Sequence, residues 1–416
     1  MNLQDKVLDR FSAEQQHILQ LIAAHSAETD TVAYLVGGIV RDLLLNQPLN
    51  DLDIAIVGNA IPFAKQLQQK HGGDLITHEA FKTATWTPTD AVEPIDLITA
   101  RSETYAHPAA LPTVAAGSMA DDLRRRDFTI NTLAMRLDSD AFGELVDLFD
   151  GSADLHAGAI RILHNQSFVD DPTRIFRAVR YEQRLHFTIE PQTLTALQSS
   201  LDGIQQLTPA RVRHEFEHIL AEPNRFLMLA RMAQLGILTA IQPQLEWRSA
   251  WEPYFAGLAD SPFATQFEAR LLFWLSHLNS AARLAILERL GMGRKVLISA
   301  EAIHTIETTL QTLPDDAPPS QIEQALRPFA KQPLACFIVS LHHADTQIGT
   351  WLDQYDTTWR HVKPHLNGND LRQLGYKPGP QFRMLLDQLR AARLDGQLHT
   401  RADEEQFLAS RVEGKV

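Results

Sequence analysis

Cysteine is almost absent from this chain of 416 residues, which contains a single one, Cys336. One cysteine excludes an internal disulfide and any zinc site built from cysteines. Long apolar runs are also missing, because none approaches the roughly 20 residues that a membrane-spanning helix needs. The opening segment, MNLQDKVLDRFSAEQQ, predicts an amphipathic helix and not a signal peptide. We therefore expect a cytoplasmic protein with no membrane partner.

Positive charge is scarce, with 38 Lys and Arg against 51 Asp and Glu and a net charge of −13. This excess argues at first against a nucleic-acid partner, but phosphate contacts depend on where the positive residues cluster. A cluster of arginines can also be a solvated helix face. Two clusters in a chain that also has a candidate metal site, at Asp51 and Asp53, favour phosphate binding. The first is formed by Arg124, Arg125 and Arg126, and the second by Arg161, Arg174, Arg177, Arg180 and Arg184.

The pattern of the chain predicts an α+β protein. Hydrophobic residues at 44% and charged residues at 21% suit a soluble globular enzyme, and the length exceeds what one core serves. Short β-type runs alternate with helical patterns from about 31 to 148, and helical patterns continue to the end. The clearest linker is LPDDAPPS (313–320), where Ser320 and Glu323 predict a capping box that opens the next helix.

The glycine pair Gly37-Gly38 follows a short apolar run, YLV. Glycine lets the backbone turn sharply and approach a ligand closely. We expect a strand, a glycine turn and a helix that begins near Ile39. The unpaired amides at such a helix start would face an anionic ligand.

Two carboxylates, Asp51 and Asp53, stand in the frame DLDIAIV, which twelve residues separate from the glycines. If 50–57 is a strand, both point the same way, because residues i and i+2 share a face. Leu52, Ile54 and Ile56 then point toward the core. Neighbouring carboxylates repel unless a cation lies between them, and hard oxygen ligands favour Mg²⁺. A lone D-x-D is more often a turn Asp followed by an exposed one, but beside the glycine pair it indicates metal-assisted nucleotidyl transfer.

The segment DDPTRIFRAVRY (170–181) suggests a base-reading helix. Asp171-Pro172 is also simply a good helix start. Beyond it, Arg174 lies one turn from Asp171, so an acceptor stands next to a donor fork. Cytosine and adenine each show an amine beside a ring acceptor, so this pair can select them and reject guanine and uracil.

The chain resembles class II tRNA nucleotidyltransferases (CCA-adding enzymes) and the related bacterial poly(A) polymerases. The resemblance is carried, in order, by LVGGIVRDLLL with NDLDIAIV, DDLRRRDFTINTLAM, LFDGSADLHAGAIRILH and DDPTRIFRAVRY, and more loosely by NGNDLRQLGYKPGPQF and LDGQLHTRADEEQFL. It is most specific over about 31–220. It implies a head with a small mixed sheet (1–150), then a helical neck (151–225), body (226–313) and tRNA-binding tail (320–416).

The resemblance also implies a reaction, template-independent addition of C and/or A from CTP and ATP to the 3′ end of tRNA. Asp51 and Asp53 would hold Mg²⁺, and Asp96 is either a third ligand or an ordinary strand-end residue. Residues expected to contact the nucleotide are Gly37, Gly38, Arg41, Arg125, Arg126, Asp127 and Asn131, with Asp171 and Arg174 at the base and Arg177 and Arg180 in support. The partners would be the 3′ end and elbow of tRNA, and no DNA is expected.

The segment RSETYAHPAALPTVAAGS departs from the family pattern. Arg101, Glu103 and Tyr105 open it, where the family places a mobile loop that acts in the change from C to A addition. Many CCA-adding members carry charges here, whereas this segment is almost uncharged, as in some A-adding relatives. Asp170 also stands where Glu is common. The product is therefore left open among CCA, CC, a terminal A and a longer poly(A) tail.

Two other functions compete with this interpretation. His214 and His218 form an H-E-x-x-H motif with Glu215, which is typical of zinc proteases. Pro223 ends that helix early, and the family has an Arg-x-x-x-Glu element here, in which Arg211 and Glu215 would brace the base-reading helix. The remaining alternative is an RNA-binding relative that has lost its chemistry, which the paired carboxylates disfavour.

Overall fold

The computed structural model describes residues 1–49, 52–79, 81–89, 93–104, 106–110 and 112–412. The chain divides into two compact units, Met1–Pro243 and Gln244–Val416. Over the described part of the chain, no helix is both long and apolar enough to cross a bilayer. The predicted α+β class is confirmed, since the described strands all lie in the first unit.

The centre of the first unit is a mixed sheet. The described strands are β1 (Val32–Val36), β2 (Asp53–Val57), β3 (Asp74–His78), β4 (Thr83–Thr87), β5 (Ile95–Thr99), β6 (Arg101–Thr104), β7 (Thr113–Ala116), β8 (Leu133–Arg136), β9 (Leu145–Asp147), β10 (Ala159–Ile160) and β11 (Thr188–Ile189). Within the described residues, seven of them form a sheet in the order β3-β4-β5-β2-β1-β8-β9. In this sheet β2 and β5 are parallel, and all the other neighbouring strands are antiparallel. Strands β6 and β7 pair separately.

The alternation predicted around β2 is present. Leu52, Ile54 and Ile56 are buried, and Asp53 is half-buried. On the face of Asp53, Ala55 packs in a small apolar cluster with Val36 of β1, Ala134 of β8, and Met119 and Leu123 of the helix Met119–Arg124. This packing fixes the strand that carries Asp53 against the helix that ends at Arg124, the first of the three clustered arginines.

The helices of the first unit surround this sheet and continue beyond it. They are α1 (Gln4–Arg10), α2 (Ala13–Glu28), α3 (Gly38–Leu44), α4 (Ala60–His71), α5 (Met119–Arg124), α6 (Gly151–Ala157), α7 (Ser167–Asp170), α8 (Thr173–Leu185), α9 (Pro191–Ser199), α10 (Pro209–Ala221), α11 (Arg225–Gln234) and α12 (Ile237–Ile241). The prediction of one leading helix was wrong, because the chain forms two. The Ser12 hydroxyl accepts from the amide of Gln15, and the Ser12 amide donates to the Gln15 side chain. This capping box starts a new helix.

The described residues of the second unit form helices and connecting loops, with no strand among them. Its helices are α13 (Tyr254–Ala259), α14 (Phe267–Ser276), α15 (Ser280–Arg289), α16 (Arg294–Gln311), α17 (Pro319–Leu326), α18 (Pro333–His342), α19 (Gln347–Thr357), α20 (Gly368–Gln373), α21 (Pro380–Leu394) and α22 (Arg401–Val412). The predicted capping box at Ser320 was wrong. Ser320 lies inside α17, and its hydroxyl donates to Asp395 at 2.8 Å. Glu323 instead pairs with Arg327 and Arg390, each at 2.7 Å.

Candidate active site

A cavity of about 730 Å³ lies within the first unit, where the glycine turn, β2 and α8 meet. It is lined by Gly38, Ile39, Arg41, Asp42, Asp53, Ile98, Glu103, Arg125, Arg126, Asp127, Asn131, Asp171, Arg174, Arg177, Arg180, Tyr181 and Arg184. Among the described residues, seven arginines therefore face five carboxylates. The lining combines a positive excess with acidic groups, which suits an anionic ligand held beside a cation.

The glycine turn is built so that a guanidinium covers it. Gly37 has φ of +79°, a conformation that favours glycine, and α3 begins at Gly38, one residue before the predicted start. A Cβ on Gly37 would lie 2.6 Å from Nη1 of Arg126. Any side chain at this position would displace Arg126 from the wall of the cavity.

The carboxylates of the site lie on two parallel strands. Asp53 of β2 and Asp96 of β5 are directly opposed in register, so both side chains point to one face of the sheet. Asp53 lines the cavity, whereas Asp96 is exposed and accepts a hydrogen bond from the Thr85 hydroxyl at 2.7 Å. Asp51 lies outside the described residues.

These carboxylates fit a hard divalent cation, although not as a complete ligand set. Within the described residues, no group of three or more His, Cys, Asp or Glu side chains is arranged to hold a metal ion. Asp53 and Asp96 supply two oxygen donors on one face, and oxygen donors of this kind are the ones that Mg²⁺ prefers. Substrate phosphates and water commonly complete such sites.

Arg41 is held by a buried polar chain. Its guanidinium donates to Asp42 in a bidentate pair at 2.8 and 2.9 Å, and Nη1 donates to Asn131 Oδ1 at 2.7 Å. Asn131 in turn donates to Asp127 at 2.9 Å. Arg41 is only 3% exposed, so its orientation in the cavity wall is fixed by these partners.

Asp127 connects that chain to the arginine helix α8. Arg177 Nε donates to Asp127 Oδ2 at 2.7 Å. Burial alone would raise the pKa of Asp127, but the charge of Arg177 and the hydrogen bond from Asn131 lower it to about 2. Asp127 is therefore ionised at neutral pH, and the pKa of Arg177 is raised chiefly by this carboxylate.

The ring of Tyr181 lies among three guanidinium groups. The Cζ atoms of Arg41, Arg177 and Arg180 stand 5.1, 5.4 and 5.8 Å from the ring centroid. The hydroxyl of Tyr181 also accepts from Arg177 at 3.1 Å. Attraction between cations and the face of an aromatic ring gathers these like charges on one wall.

Arg125 and Arg126 share one buried carboxylate. Asp122 accepts from Arg125 at 2.7 Å and from Arg126 at 3.0 Å. Burial opposes ionisation of Asp122, but the charges of Arg126 and Arg125 lower its pKa. Glu103 pairs with Arg125 at 3.2 Å and with Arg101 at 3.0 Å. Glu103 thus lines the cavity itself, and Arg101 is connected to the site through Glu103. Tyr105 lies outside the described residues.

Asp171 and Arg174 both line the cavity, at the start of α8. Asp171 Oδ1 accepts from the amide and hydroxyl of Thr173, as a helix-start residue does, and also from Arg211 at 2.6 Å. Arg174 is 5% exposed and donates to Ser167 at 2.6 Å and to the carbonyl of Arg125 at 2.7 Å. Asp171 therefore makes the contacts of a helix-start residue, and its position in the cavity wall is compatible with base reading as well.

Arg180 is buried in the wall with capacity to bind a further acceptor. It is 9% exposed, and among the described residues its Nε and Nη1 have no hydrogen-bond partner. Its nearest carboxylate is Glu215 of α10, at 3.9 Å. Burial raises the pKa of Glu215 even though Arg180 opposes the shift. Glu215 and Arg211 thus contact the start and middle of α8 from α10.

The structure brings most of the predicted site residues to one cavity and adds some that the sequence analysis missed. Asp42, Asp122 and Tyr181 were not singled out, although Asp42 follows Arg41 directly and Asp122 precedes the arginine cluster by two residues. Their closeness in sequence to the predicted arginines was the signal that could have identified these two acidic residues. Gly37 contacts the site through Arg126, and Asp96 lies beside Asp53 but not among the residues that line the cavity.

Two families of known proteins match parts of the chain. The family described as "Poly A polymerase head domain" matches residues 33–161. The family described as "Probable RNA and SrmB- binding site of polymerase A" matches residues 186–248. An A-adding tRNA nucleotidyltransferase of Halalkalibacterium halodurans is 31% identical over 98% of this chain and 95% of its own length. The chain belongs to the tRNA nucleotidyltransferase family.

Two further relatives of this tRNA nucleotidyltransferase carry different product names. An A-adding enzyme of Geobacter sulfurreducens is 34% identical over 91% of the chain, which spans 45% of that longer protein. A CCA-adding enzyme of Latilactobacillus sakei is 33% identical over 88% of the chain and 90% of its own length. The family predicted from the sequence is therefore confirmed, and it is a family of transferases.

Solved structures of CCA-adding enzymes share the whole fold with this family member. An apo form matches with a TM-score of 0.83 and 29% identity, covering 99% of both chains. A complex with ATP matches with a TM-score of 0.79 and 28% identity, covering 99% of both chains. The Thermotoga maritima enzyme complexed with tRNA matches with a TM-score of 0.76 and 28% identity, covering 99% of this chain and 98% of that one. The predicted architecture, a head with a small mixed sheet followed by helices, is confirmed.

Proposed function

We propose that this chain adds A, C or both to the 3′ end of tRNA, using ATP and CTP without a template. One observation carries the proposal, namely that Asp53 and seven arginines line a single cavity. In the reaction, the 3′-hydroxyl oxygen of the RNA bonds to the α-phosphorus of the nucleotide. The bond from that phosphorus to the β-phosphate oxygen breaks, pyrophosphate leaves, and the hydroxyl proton is lost.

The residues of the cavity divide this work among them. Asp53, with Asp51 and Asp96 as further candidates, would hold Mg²⁺. When bound, such ions lower the pKa of the attacking hydroxyl and neutralise charge on the phosphates. The arginines bind the triphosphate, and the Asp42 and Asp122 carboxylates hold Arg41, Arg125 and Arg126 in position. Catalysis here is mainly positioning and charge stabilisation.

Base choice would fall to the start of α8. Asp171 accepts from the exocyclic amine, and Arg174 donates to the ring nitrogen of cytosine or adenine. Guanine and uracil show a carbonyl and a ring N–H at these positions. Their carbonyl would face the acceptor Asp171 and their N–H would face the donor Arg174, so neither hydrogen bond could form. Arg211 and Ser167 hold the two readers in place through hydrogen bonds of 2.6 Å each.

Specific observations favour terminal A addition as the product. The segment 105–114 is almost uncharged, and two of the relatives that span most of this chain are named A-adding enzymes. Full CCA addition is the second candidate, because another relative that spans most of the chain is named a CCA-adding enzyme. The family match over 186–248 and the likeness to a tRNA complex support RNA contacts along the helices, with the tail at the tRNA elbow. A tRNA substrate supports the expectation that the enzyme works in the cytoplasm.

The test uses three tRNAs, ending before the first C, after C and after CC, each with Mg²⁺ and one labelled nucleotide. A addition alone predicts label from ATP only on the tRNA that ends in CC. Full CCA addition predicts label from CTP on the two shorter tRNAs as well. The absence of A or C incorporation on every tRNA would overturn the proposal.

A further inference from the structure

The histidine pair of α10 is not used by the nucleotidyl transfer proposed above. His214 and His218 are one helical turn apart, and both are exposed to solvent. Their Nε2 atoms are 3.1 Å apart, and the two rings meet nearly edge to face with centroids separated by 4.5 Å. The Nε2 atoms of the two rings thus lie next to each other on the exposed side of the helix.

The separation of the two Nε2 atoms is close to that of two imidazole ligands on one metal ion. Two imidazole nitrogens, each about 2.0–2.1 Å from a tetrahedral zinc ion, stand roughly 3.3 Å apart. The observed separation of 3.1 Å requires only a small rotation of either ring to reach that geometry. Imidazole nitrogen is a ligand that Zn²⁺, Cu²⁺ and Ni²⁺ prefer and Mg²⁺ does not.

A carboxylate also stands where it can orient one of the histidines. Oε2 of Glu217 lies 3.6 Å from Nδ1 of His214, the ring nitrogen that faces away from His218. Histidines that bind metals commonly donate their second N–H to a carboxylate, which fixes the tautomer and leaves Nε2 free to ligate.

The site differs from that of a zinc protease, although the motif is H-E-x-x-H. Glu215, which would be the general base of a protease, is 6% exposed and pairs with Arg180 on the side of α10 that packs on α8. Phe216 meets Phe176 of α8 on that same side, with ring centroids 6.2 Å apart. The two histidines are on the exposed side of α10 and Glu215 is on its buried side. Glu215 therefore cannot contact a water molecule bound to an ion that the histidines hold.

We propose that His214 and His218 form a binding site for a divalent transition-metal ion such as Zn²⁺, with Glu217 orienting His214. The protein supplies two ligands, and water or an anionic group completes the coordination. Binding would link two turns of α10 from outside, on the helix whose inner side carries Arg211 and Glu215. The site is independent of the Mg²⁺ expected at Asp53.

The experiment is calorimetric titration of the full-length protein with ZnCl₂ after chelator treatment, in excess Mg²⁺ so that the carboxylate sites are occupied. One Zn²⁺ per chain should bind, and His214→Ala or His218→Ala should each weaken the affinity at least tenfold. Glu217→Gln should weaken it about tenfold. His304→Ala, which alters an exposed histidine on α16, is the matched control and should bind as the wild type does.

A second measurement separates a lost site from a damaged fold. Without Zn²⁺, the thermal midpoints of His214→Ala, His218→Ala and the wild type should agree, because both side chains are exposed. Added Zn²⁺ should raise the midpoint of the wild type only. The proposal is overturned if the wild type binds no Zn²⁺, or if both alanine variants bind it as tightly as the wild type.

Discussion

Arg211 of α10 donates to Asp171 at the start of α8, with Nη2 and Oδ1 2.6 Å apart. The same Arg211 also donates to the carbonyl of Ala109 at 3.1 Å. One guanidinium therefore joins the proposed base reader to the segment that follows β6. The contact places Asp171 under two constraints, since its oxygen also accepts from Thr173.

Substitution of Asp171 separates base reading from helix capping. Asp171→Ala removes both roles, so we expect relaxed choice among the four nucleotides and a loss of roughly 1 kcal/mol of unfolding free energy. Asp171→Asn keeps an acceptor for Thr173 but loses the charge, so selection should relax while stability changes little. Incorporation of each labelled nucleotide and urea unfolding measure the two effects. Unchanged selection of A or C by both variants would leave Asp171 as a helix-start residue only.

The register of Asp53 and Asp96 predicts a role for Asp96 in metal binding. Asp96→Asn should raise the Mg²⁺ concentration needed for half-maximal activity about tenfold, because one charged oxygen ligand is lost. Thr85→Val is the control, since it removes the hydroxyl that donates to Asp96 and leaves the carboxylate. Its Mg²⁺ dependence should shift less than that of Asp96→Asn, because the carboxylate ligand itself remains. An unchanged Mg²⁺ dependence in Asp96→Asn would show that Asp96 is an ordinary strand-end residue.

Tyr181 should act as a positioning residue for the triphosphate. Three arginines lie around its ring and each contributes about 0.5–1 kcal/mol, so Tyr181→Leu should raise KM for ATP by roughly 10- to 140-fold and change kcat less. Tyr181→Phe keeps the ring and loses only the hydrogen bond from Arg177. Its KM should remain within about threefold of the wild type. If the Leu and Phe variants had equal KM values, the ring would not organise the arginines.

The second unit should lose stability in mild acid because of His277. Burial, followed by the charges of His342 and Arg283, lowers the pKa of His277 to about 4, although Glu307 opposes the shift. Unfolded His277 takes up a proton near pH 6.5, whereas folded His277 does so only near 4. The unfolding free energy should therefore be unaffected by this group above about pH 7 and fall as the pH drops from 6.5 toward 4.

The measurement is urea unfolding at pH 7, 6 and 5. We expect His277 to contribute a decrease of about 1–2 kcal/mol across this range, a figure discounted for its partial exposure. His277→Phe, which retains a ring to stack on Trp251, should show a flatter pH dependence. His304→Ala should follow the wild type. Equal slopes in His277→Phe and the wild type would contradict the assignment.

The sequence predicted the local features of the site better than its long-range contacts. Burial of Ile54 and half-exposure of Asp53 follow from the period of a strand, and the gathering of Arg174, Arg177 and Arg180 follows from the period of a helix. Such periods depend only on neighbouring residues, so they can be read directly from the chain.

Long-range partners had no comparable signal. Arg177 meets Asp127 fifty positions away, and no pattern in the sequence relates the two. Arg211 meets Asp171 forty positions away, and only the resemblance to the family suggested that Arg211 braces this helix. The capping box predicted at Ser320 failed for the same reason, because Asp395, distant in sequence, takes the hydroxyl of Ser320. Tertiary contacts override a local preference worth about 1 kcal/mol when they offer a better acceptor.

The most direct test of the account is the single-turnover rate of AMP transfer from labelled ATP to tRNA ending in CC, in the wild type and in Asp53→Asn. Loss of a metal ligand should reduce the rate at least about a hundredfold, because each 1.36 kcal/mol of transition-state stabilisation is worth a factor of ten. The arginines of the cavity are unchanged, so ATP measured at equilibrium should still bind within several-fold of the wild type. A variant that transferred AMP at more than a tenth of the wild-type rate would contradict the claim that Asp53 holds the catalytic metal.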